Sequence, residues 1–297
     1  MKNRRFFMNE QFFEKKIAIS LSKDTTPVQL VHKRTGGDAE KHFLHLNDYI
    51  EIYVFVSGDV DYIVEDDYIP LEAGDAVIIL PHELHVPVIK SQSVYERFYM
   101  LIPLDAFSFF HFDVLGAYRS IKKNKIYLPP EAKERLLKLL YEVSRLSDEG
   151  DTPAVSLQRA GLLLQIQGLL SGFANDKNTF FAPEISSGMP EKLKEILKYI
   201  STNAQDICGV KDIAKRFFVS YQYLASLFNR YVGVNVNYYL RMKRIALAKG
   251  YLESGRSVAE ACYDSGFSDS SHFIKTFREF VGMTPKQYKN LFLKKTV

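Results

Sequence analysis

Two groups of residues in this 297-residue chain have types and spacings that could do chemistry. The first is a set of histidines. Six of the seven lie before residue 112, with His42, His45, His82 and His85 close in sequence and Glu51 near them. Imidazoles beside a carboxylate suggest a metal centre, because zinc and its neighbours take a few such ligands in fixed geometry. The spacing weakens that reading. His42 and His45 are three apart, and on a flat strand only alternate residues share a face. His82-Glu83-Leu84-His85 is not the H-E-x-x-H pattern of zinc hydrolases. His45 and Glu51, six apart, do share a face if the strand is continuous. We therefore expect no metal, no cofactor and no catalytic residue. His45, Glu51, Tyr53, His85 and Arg97 are expected instead to hydrogen-bond a small neutral effector, with Tyr99 near the same pocket.

The second group is basic and lies at the other end. Residues 1–185 carry 21 Lys and Arg against 26 Asp and Glu, a net −5, whereas residues 186–297 carry 18 against 9, a net +9. Only the second part suits a polyanion. It also repeats itself. Leu224, Phe228, Gly233 and Tyr239 recur as Phe273, Phe277, Gly282 and Tyr288 at an offset of 49; upstream, Val210 and Ala214 recur as Val258 and Cys262 at 48. Each copy reads as a short helix, a tight turn and a longer helix, the helix-turn-helix layout whose second helix enters the DNA major groove.

Explicit start and stop signals bound these helices. Ser220 caps the longer helix of the first copy, and Ser257 with Glu260 and Thr284 with Gln287 form capping boxes. Gly233 and Gly282 stand where a left-handed C-cap is wanted. If Leu224 and Phe228 face inward, Tyr221, Gln222, Ala225, Ser226 and Asn229 face out; if Phe273 and Phe277 face inward, Ser270, Ser271, His272, Lys275 and Arg278 face out. Gln can pair with adenine and Lys with guanine acceptors. Arg230, Arg241 and Arg244, with Lys243, are read as phosphate contacts or as a solvated face.

The elements that must position both groups follow from composition and period. With 46% hydrophobic and 25% charged residues the chain is globular, which excludes a disordered tail, a collagen and a coiled-coil rod. It has no apolar run long enough to span a membrane and no signal-peptide core, and Cys208 and Cys262 make no disulfide framework, so a cytoplasmic protein is expected. Short strands are expected at 50–56, 60–64, 68–71, 76–80 and 94–102, separated by turn residues. Past Pro129-Pro130 the period becomes helical over 131–148 and 153–172, and the stretch from 175 to about 190 reads as a linker.

The run Ser257-Val258-Ala259-Glu260, Gly266-Phe267-Ser268-Asp269-Ser270-Ser271-His272-Phe273 and Phe277-Arg278-Glu279-Phe280-Val281-Gly282-Met283-Thr284-Pro285-Lys286-Gln287-Tyr288 resembles the signature of the AraC/XylS family of bacterial transcription regulators. Ile213-Ala214, Ser220, Tyr223-Leu224, Leu227-Phe228, Gly233, Arg244-Ile245 and Ala248 fit its first unit, whereas Cys262 replaces a usual Ala and His272 a frequent Tyr. The resemblance implies two helix-turn-helix units joined by one long helix, here about 234–253, and places Gln222, Ser226, Ser271 and Lys275 at the family's base-reading positions. More loosely, His45, Glu51, Gly58, Gly74-Asp75, Pro81 and His85 resemble the cupin-like sensor domain of many members, a small β-barrel that holds a sugar or related effector.

The expected fold is thus two domains: an all-β cupin-like barrel with two C-terminal helices, and an all-α double helix-turn-helix domain. The expected boundaries are a sensor at 1–128, a helical dimerisation region at 129–174, a linker at 175–189 and a DNA-binding domain at 190–297. Expected partners are double-stranded DNA, a small effector such as a sugar, a second copy of the chain and RNA polymerase. The competing reading is a metal-dependent cupin enzyme with an accessory DNA-binding domain.

Overall fold

A computed structural model of the chain describes residues 12–36, 44–119, 124–174 and 188–295. His42 and most of the expected linker lie outside these residues. The first part is β-rich. Strands β1 (Phe13–Ile19), β2 (Val28–Gly36), β3 (Ile50–Ser57), β4 (Val60–Val64), β5 (Asp67–Pro70), β6 (Ala76–Ile79), β7 (His85–Ile89), β8 (Val94–Ile102) and β9 (Lys125–Ile126) form two antiparallel sheets. One has six strands in the order β1-β2-β8-β3-β6-β9; the other has three, β5-β4-β7. A single bridge, His45 to His85, stands outside the strands. The expected closed barrel is not what the described residues form: the two sheets face each other as separate ladders. Helices α1 (Val114–Arg119), α2 (Pro130–Leu146) and α3 (Pro153–Ala174) follow.

Side-chain alternation explains the layering. On β3, Ile50, Ile52 and Val54 point to a core shared with Leu136, Leu140, Leu163 and Leu170 of α2 and α3. Tyr53 and Phe55 point the other way, into a second core with Tyr62 and Val64 of β4 and Tyr95 of β8. The six-stranded sheet is therefore covered on both faces, by helices and by the small sheet. That is why β3 reads as an almost unbroken apolar run.

The second part is all helix: α4 (Glu191–Asn203), α5 (Val210–Arg216), α6 (Tyr221–Tyr231), α7 (Val236–Glu253), α8 (Val258–Asp264), α9 (Ser270–Val281) and α10 (Pro285–Lys295). The expected caps are present. Ser220 accepts the Tyr223 N–H, Ser257 and Glu260 form a reciprocal box, and Gly233 and Gly282 take φ values of 76° and 79°. Helix α7 serves two cores. Its first half gives Val236, Tyr239 and Leu240 to a core with α4 and α6, and its second half gives Ile245, Ala248 and Leu252 to a core with α8 and α9.

The two parts touch. Leu44, Ile63, Leu84 and Val86 of the β-rich part share a core with Leu193, Ile196, Leu197 and Ile200 of α4. Around it, Lys243 pairs with Glu65, Lys249 pairs with Asp48, and His82 Nε2 lies 3.0 Å from Glu253. The opposite charges of the two halves thus meet at this seam.

Candidate nucleic-acid interface and sensor chamber

Two helix-turn-helix units stand in tandem, α5 with α6 and α8 with α9, at the two ends of α7. A helix of 18 residues is about 27 Å long, comparable with the roughly 34 Å between successive major grooves on one DNA face. The inward set of α6 is Leu224, Leu227 and Phe228, and that of α9 is Phe273, Thr276 and Phe277. Opposite them, Tyr221, Gln222, Ser226, Asn229 and Arg230 are exposed, and Ala225 is half-buried. On α9, Ser270, Ser271, His272, Lys275 and Arg278 are exposed. Asp269 accepts the His272 N–H at 2.6 Å, so the start of α9 is fixed by its own cap.

The sensor-side residues converge on the space between the sheets and its edge. Glu51 and His85 are buried, with His85 Nε2 3.3 Å from a Glu51 carboxylate oxygen. His45 lies beside them at the surface, its ring 4.1 Å from that of His85. Burial pushes the Glu51 carboxyl up, but His85 and His45 beside it, with the Asn47 amide donating at 2.6 Å, bring it below its ordinary value overall. Burial pushes the His85 ring down, and Glu51 outweighs it and raises the ring above its usual range. Deeper in, the Tyr53 and Tyr95 hydroxyls are 2.6 Å apart, and the Arg97 guanidinium lies over the Tyr95 ring at 4.1 Å while donating to Thr35 at 2.9 Å. Burial pushes the Tyr53 and Tyr62 hydroxyls far above their ordinary values, so both remain neutral donors. The sequence thus grouped five residues that the fold does bring together: four buried and one, His45, at the rim.

Comparison with known proteins agrees with this geometry. A family described as a helix-turn-helix domain matches residues 213–290. The melibiose operon regulatory protein of Escherichia coli K12 is 22% identical over 264 residues, covering 83% of each chain. The transcriptional activator RhaR of Mannheimia succiniciproducens is 21% identical over 259 residues, 85% of this chain and 88% of its own. The regulatory protein PocR of Salmonella typhimurium is 32% identical over 99 residues, a third of each chain. Residues 213–290 form a helix-turn-helix domain of the AraC type, and the chain is similar over most of its length to transcription regulators. It is a sequence-specific DNA-binding regulator.

Some basic residues of this domain have other work than the sequence suggested. Arg244, read there as a phosphate contact, donates to the carbonyls of Ala204 (3.0 Å) and Ile207, and so ties α7 to the end of α4. Lys243 is buried against Glu65. Arg241 is half-buried, with its guanidinium 5.8 Å from the Phe280 ring centre. Conversely, the sequence reading passed over Lys211, Lys215 and Arg216 of α5, all exposed. They lie on the helix that crosses the backbone in this layout, opposite the buried Ile213 and Ala214, and that spacing was the available signal. It also passed over Phe218, 95% exposed at φ 54° in the first turn, and Ile274, exposed on α9.

Proposed function

We propose that this regulator reads two adjacent major grooves and is controlled by a small polar effector, a sugar in the first instance, held between the sheets of a cupin-like N-terminal domain. The observation that carries the DNA half is the exposure of both recognition faces while their inward faces are fully packed. Gln222 and Ser226 on α6, and Ser271 and Lys275 on α9, read base edges. Tyr221, Ala225, Asn229, Ser270, His272 and Arg278 flank them, and Arg230 with Lys211 and Lys215 meets phosphates. Arg241 and Arg244 act by holding α7 in place.

The effector half is supported by chamber chemistry. Sugars present hydroxyls to carboxylates, imidazoles and phenols, and apolar ring faces to aromatics; Glu51, His85, Tyr53, Tyr62, Tyr95 and Arg97 supply both kinds of group between the two sheets. A relative named for the melibiose operon points the same way. Helices α2 and α3 form the dimer contact: Leu157 is 75% exposed on α3, whose other faces are also apolar. Residues 1–128 act as the sensor, 129–174 as the dimerisation region and 190–297 as the reader, in a cytoplasmic protein that addresses RNA polymerase and performs no catalysis.

A thermal-shift series of the full chain across mono- and disaccharides tests the effector. One sugar should stabilise the protein by about 2.7 kcal/mol at a hundredfold its Kd, and Glu51→Gln should abolish the response. A flat panel with sugars, together with a response to another ligand class, sinks the sugar assignment.

A further inference from the structure

Phe218, in the turn of the first unit, stands where two physical rules disfavour it. Its side chain is 95% exposed and its φ is 54°. The backbone follows from how α5 stops. The Val219 N–H donates to the Ala214 carbonyl at 3.0 Å, the closing bond of a helix stop whose left-handed residue is usually glycine. The second unit stops α8 in the same way. There the Phe267 N–H donates to the Cys262 carbonyl at 3.1 Å, and Gly266 takes φ 91°. Phe218 and Gly266 are therefore equivalent, at the offset of 48 that also relates Ala214 to Cys262. The second turn needs glycine for room as well, because a Cβ there would lie 2.6 Å from the Gln205 carbonyl oxygen. The first turn has no such neighbour, yet it carries a large ring that its own chain leaves in water. An exposed apolar residue alone needs no explanation. One held at a strained φ, where glycine would serve, points to a contact outside the chain.

The surroundings of the ring indicate the partner. Lys211, Lys215 and Arg216 of α5 are exposed, against the one acid Asp212, so the face is basic. Two residues after Phe218, Ser220 caps the recognition helix α6, whose first residues Tyr221 and Gln222 are exposed. In this layout the N-terminal residues of the second helix meet base edges, so a ring just ahead of the cap stands beside the groove. The major groove offers one apolar group, the thymine 5-methyl, and phenylalanine is among the side chains that pack on it. We propose that Phe218 is a specificity-determining residue of the first unit, its ring packing on the 5-methyl group of a thymine in the element that α6 reads. The proposal rests on the tandem reading of DNA given above. To the polar contacts of Gln222 and Ser226 it adds an apolar one that selects thymine.

The probe is a duplex that the full chain recovers from a random library, with its thymines replaced singly by deoxyuridine, which removes only the 5-methyl group. Binding is read by fluorescence anisotropy at fixed salt. For the parent, one replacement in the element that Gln222→Ala alters should weaken binding about threefold to fourfold, the worth of one buried methyl. Phe218→Gly should bind the unmodified duplex at least about threefold more weakly, bind random duplex within about twofold of the parent, and show no further loss at that replacement. Glycine takes φ 54° freely, so the variant should keep the parent's urea midpoint. Phe218→Asn, which also tolerates a left-handed φ without glycine's flexibility, should bind as Phe218→Gly does. Parent-like affinity of both variants leaves a protein surface as the ring's partner, and equal losses on recovered and random duplex leave the sugar-phosphate backbone; either result overturns the proposal. A methyl effect that survives Phe218→Gly, or a first element without thymine, overturns it too. If the parent recovers no site, the tandem reading itself fails and the proposal with it, whereas a recovered site that both variants bind like the parent overturns the proposal alone.

Discussion

Replacing Glu65 by glutamine probes what holds the two domains together. The Glu65 carboxylate receives the Leu84 N–H at 2.7 Å and the Ser201 hydroxyl at 3.1 Å, and it pairs with the Lys243 ammonium. The two charged side chains are only 13% and 9% exposed. Glutamine keeps the shape and can still accept from Leu84, but leaves the lysine buried without a counter-charge. Removing one partner of a buried pair costs about 3–5 kcal/mol, and the oxygen that glutamine retains trims this to about 2–3 kcal/mol. The pair joins β4's end to α7, so the loss falls on docking and on neither domain's own core. Urea unfolding of the full chain, followed by far-ultraviolet circular dichroism at fixed salt, should change from one transition to two. Lys243→Met replaces the ammonium with an apolar side chain of similar length, so the double variant should regain at least half of the loss. A single transition at the parent midpoint for Glu65→Gln, or strictly additive effects in the double variant, refutes the reasoning.

Lys275→Ala should weaken specific binding by about 1–3 kcal/mol while leaving binding to random duplex nearly unchanged, read by fluorescence anisotropy on both DNAs; equal losses would remove Lys275 from base reading. Phe277 is fully buried, with ring centres 5.7 Å from Phe273 and 5.6 Å from Tyr288, so Phe277→Ala should cost about 3–5 kcal/mol and speed amide exchange across α8 to α10. Parent-like exchange there counts against that core. Burial, helped by nearby Glu65, raises the Glu83 carboxyl to about 7. The folded chain then keeps a proton that the unfolded chain has lost, so this group's contribution falls as pH rises from about 4.5 to 7. Unfolding free energies from urea titrations should fall between pH 5 and pH 8 by on the order of 2–3 kcal/mol more for the parent than for Glu83→Gln, and parallel profiles would exclude Glu83 as the source.

The DNA-binding half was legible because its signals are local. Each cap joins residues three apart, and the inward sets of α6 and α9 follow a helical period, so Ser220, Ser257 and Gly282 announced their helices directly. The β-rich half was less so. Strand β7 carries Pro87 and only five residues, and β1, at a sheet edge, has the three charged residues Glu14, Lys15 and Lys16 in a row after Phe13, so neither shows a strand pattern strong enough to read. Lys243 looked like a phosphate contact or a solvated face, because its partner Glu65 is 178 residues away, and the pairing of Lys249 with Asp48 spans 201 residues. The His45–Glu51–His85 cluster depends on a bridge between residues 40 apart in sequence, which strand spacing cannot supply. The two-sheet arrangement likewise turns on which strands pair, and the turns alone leave that open.

The most direct test of the central claim is selection of binding sites from a random duplex library by the full chain. Two recognition helices at the ends of α7 should enrich a site with two short elements whose centres lie about 10–10.5 base pairs apart. Gln222→Ala should change the preference in one element only, and Ser271→Ala with Lys275→Ala in the other only. A single contiguous element altered by both sets of changes, or no enrichment over random duplex, would contradict the tandem reading.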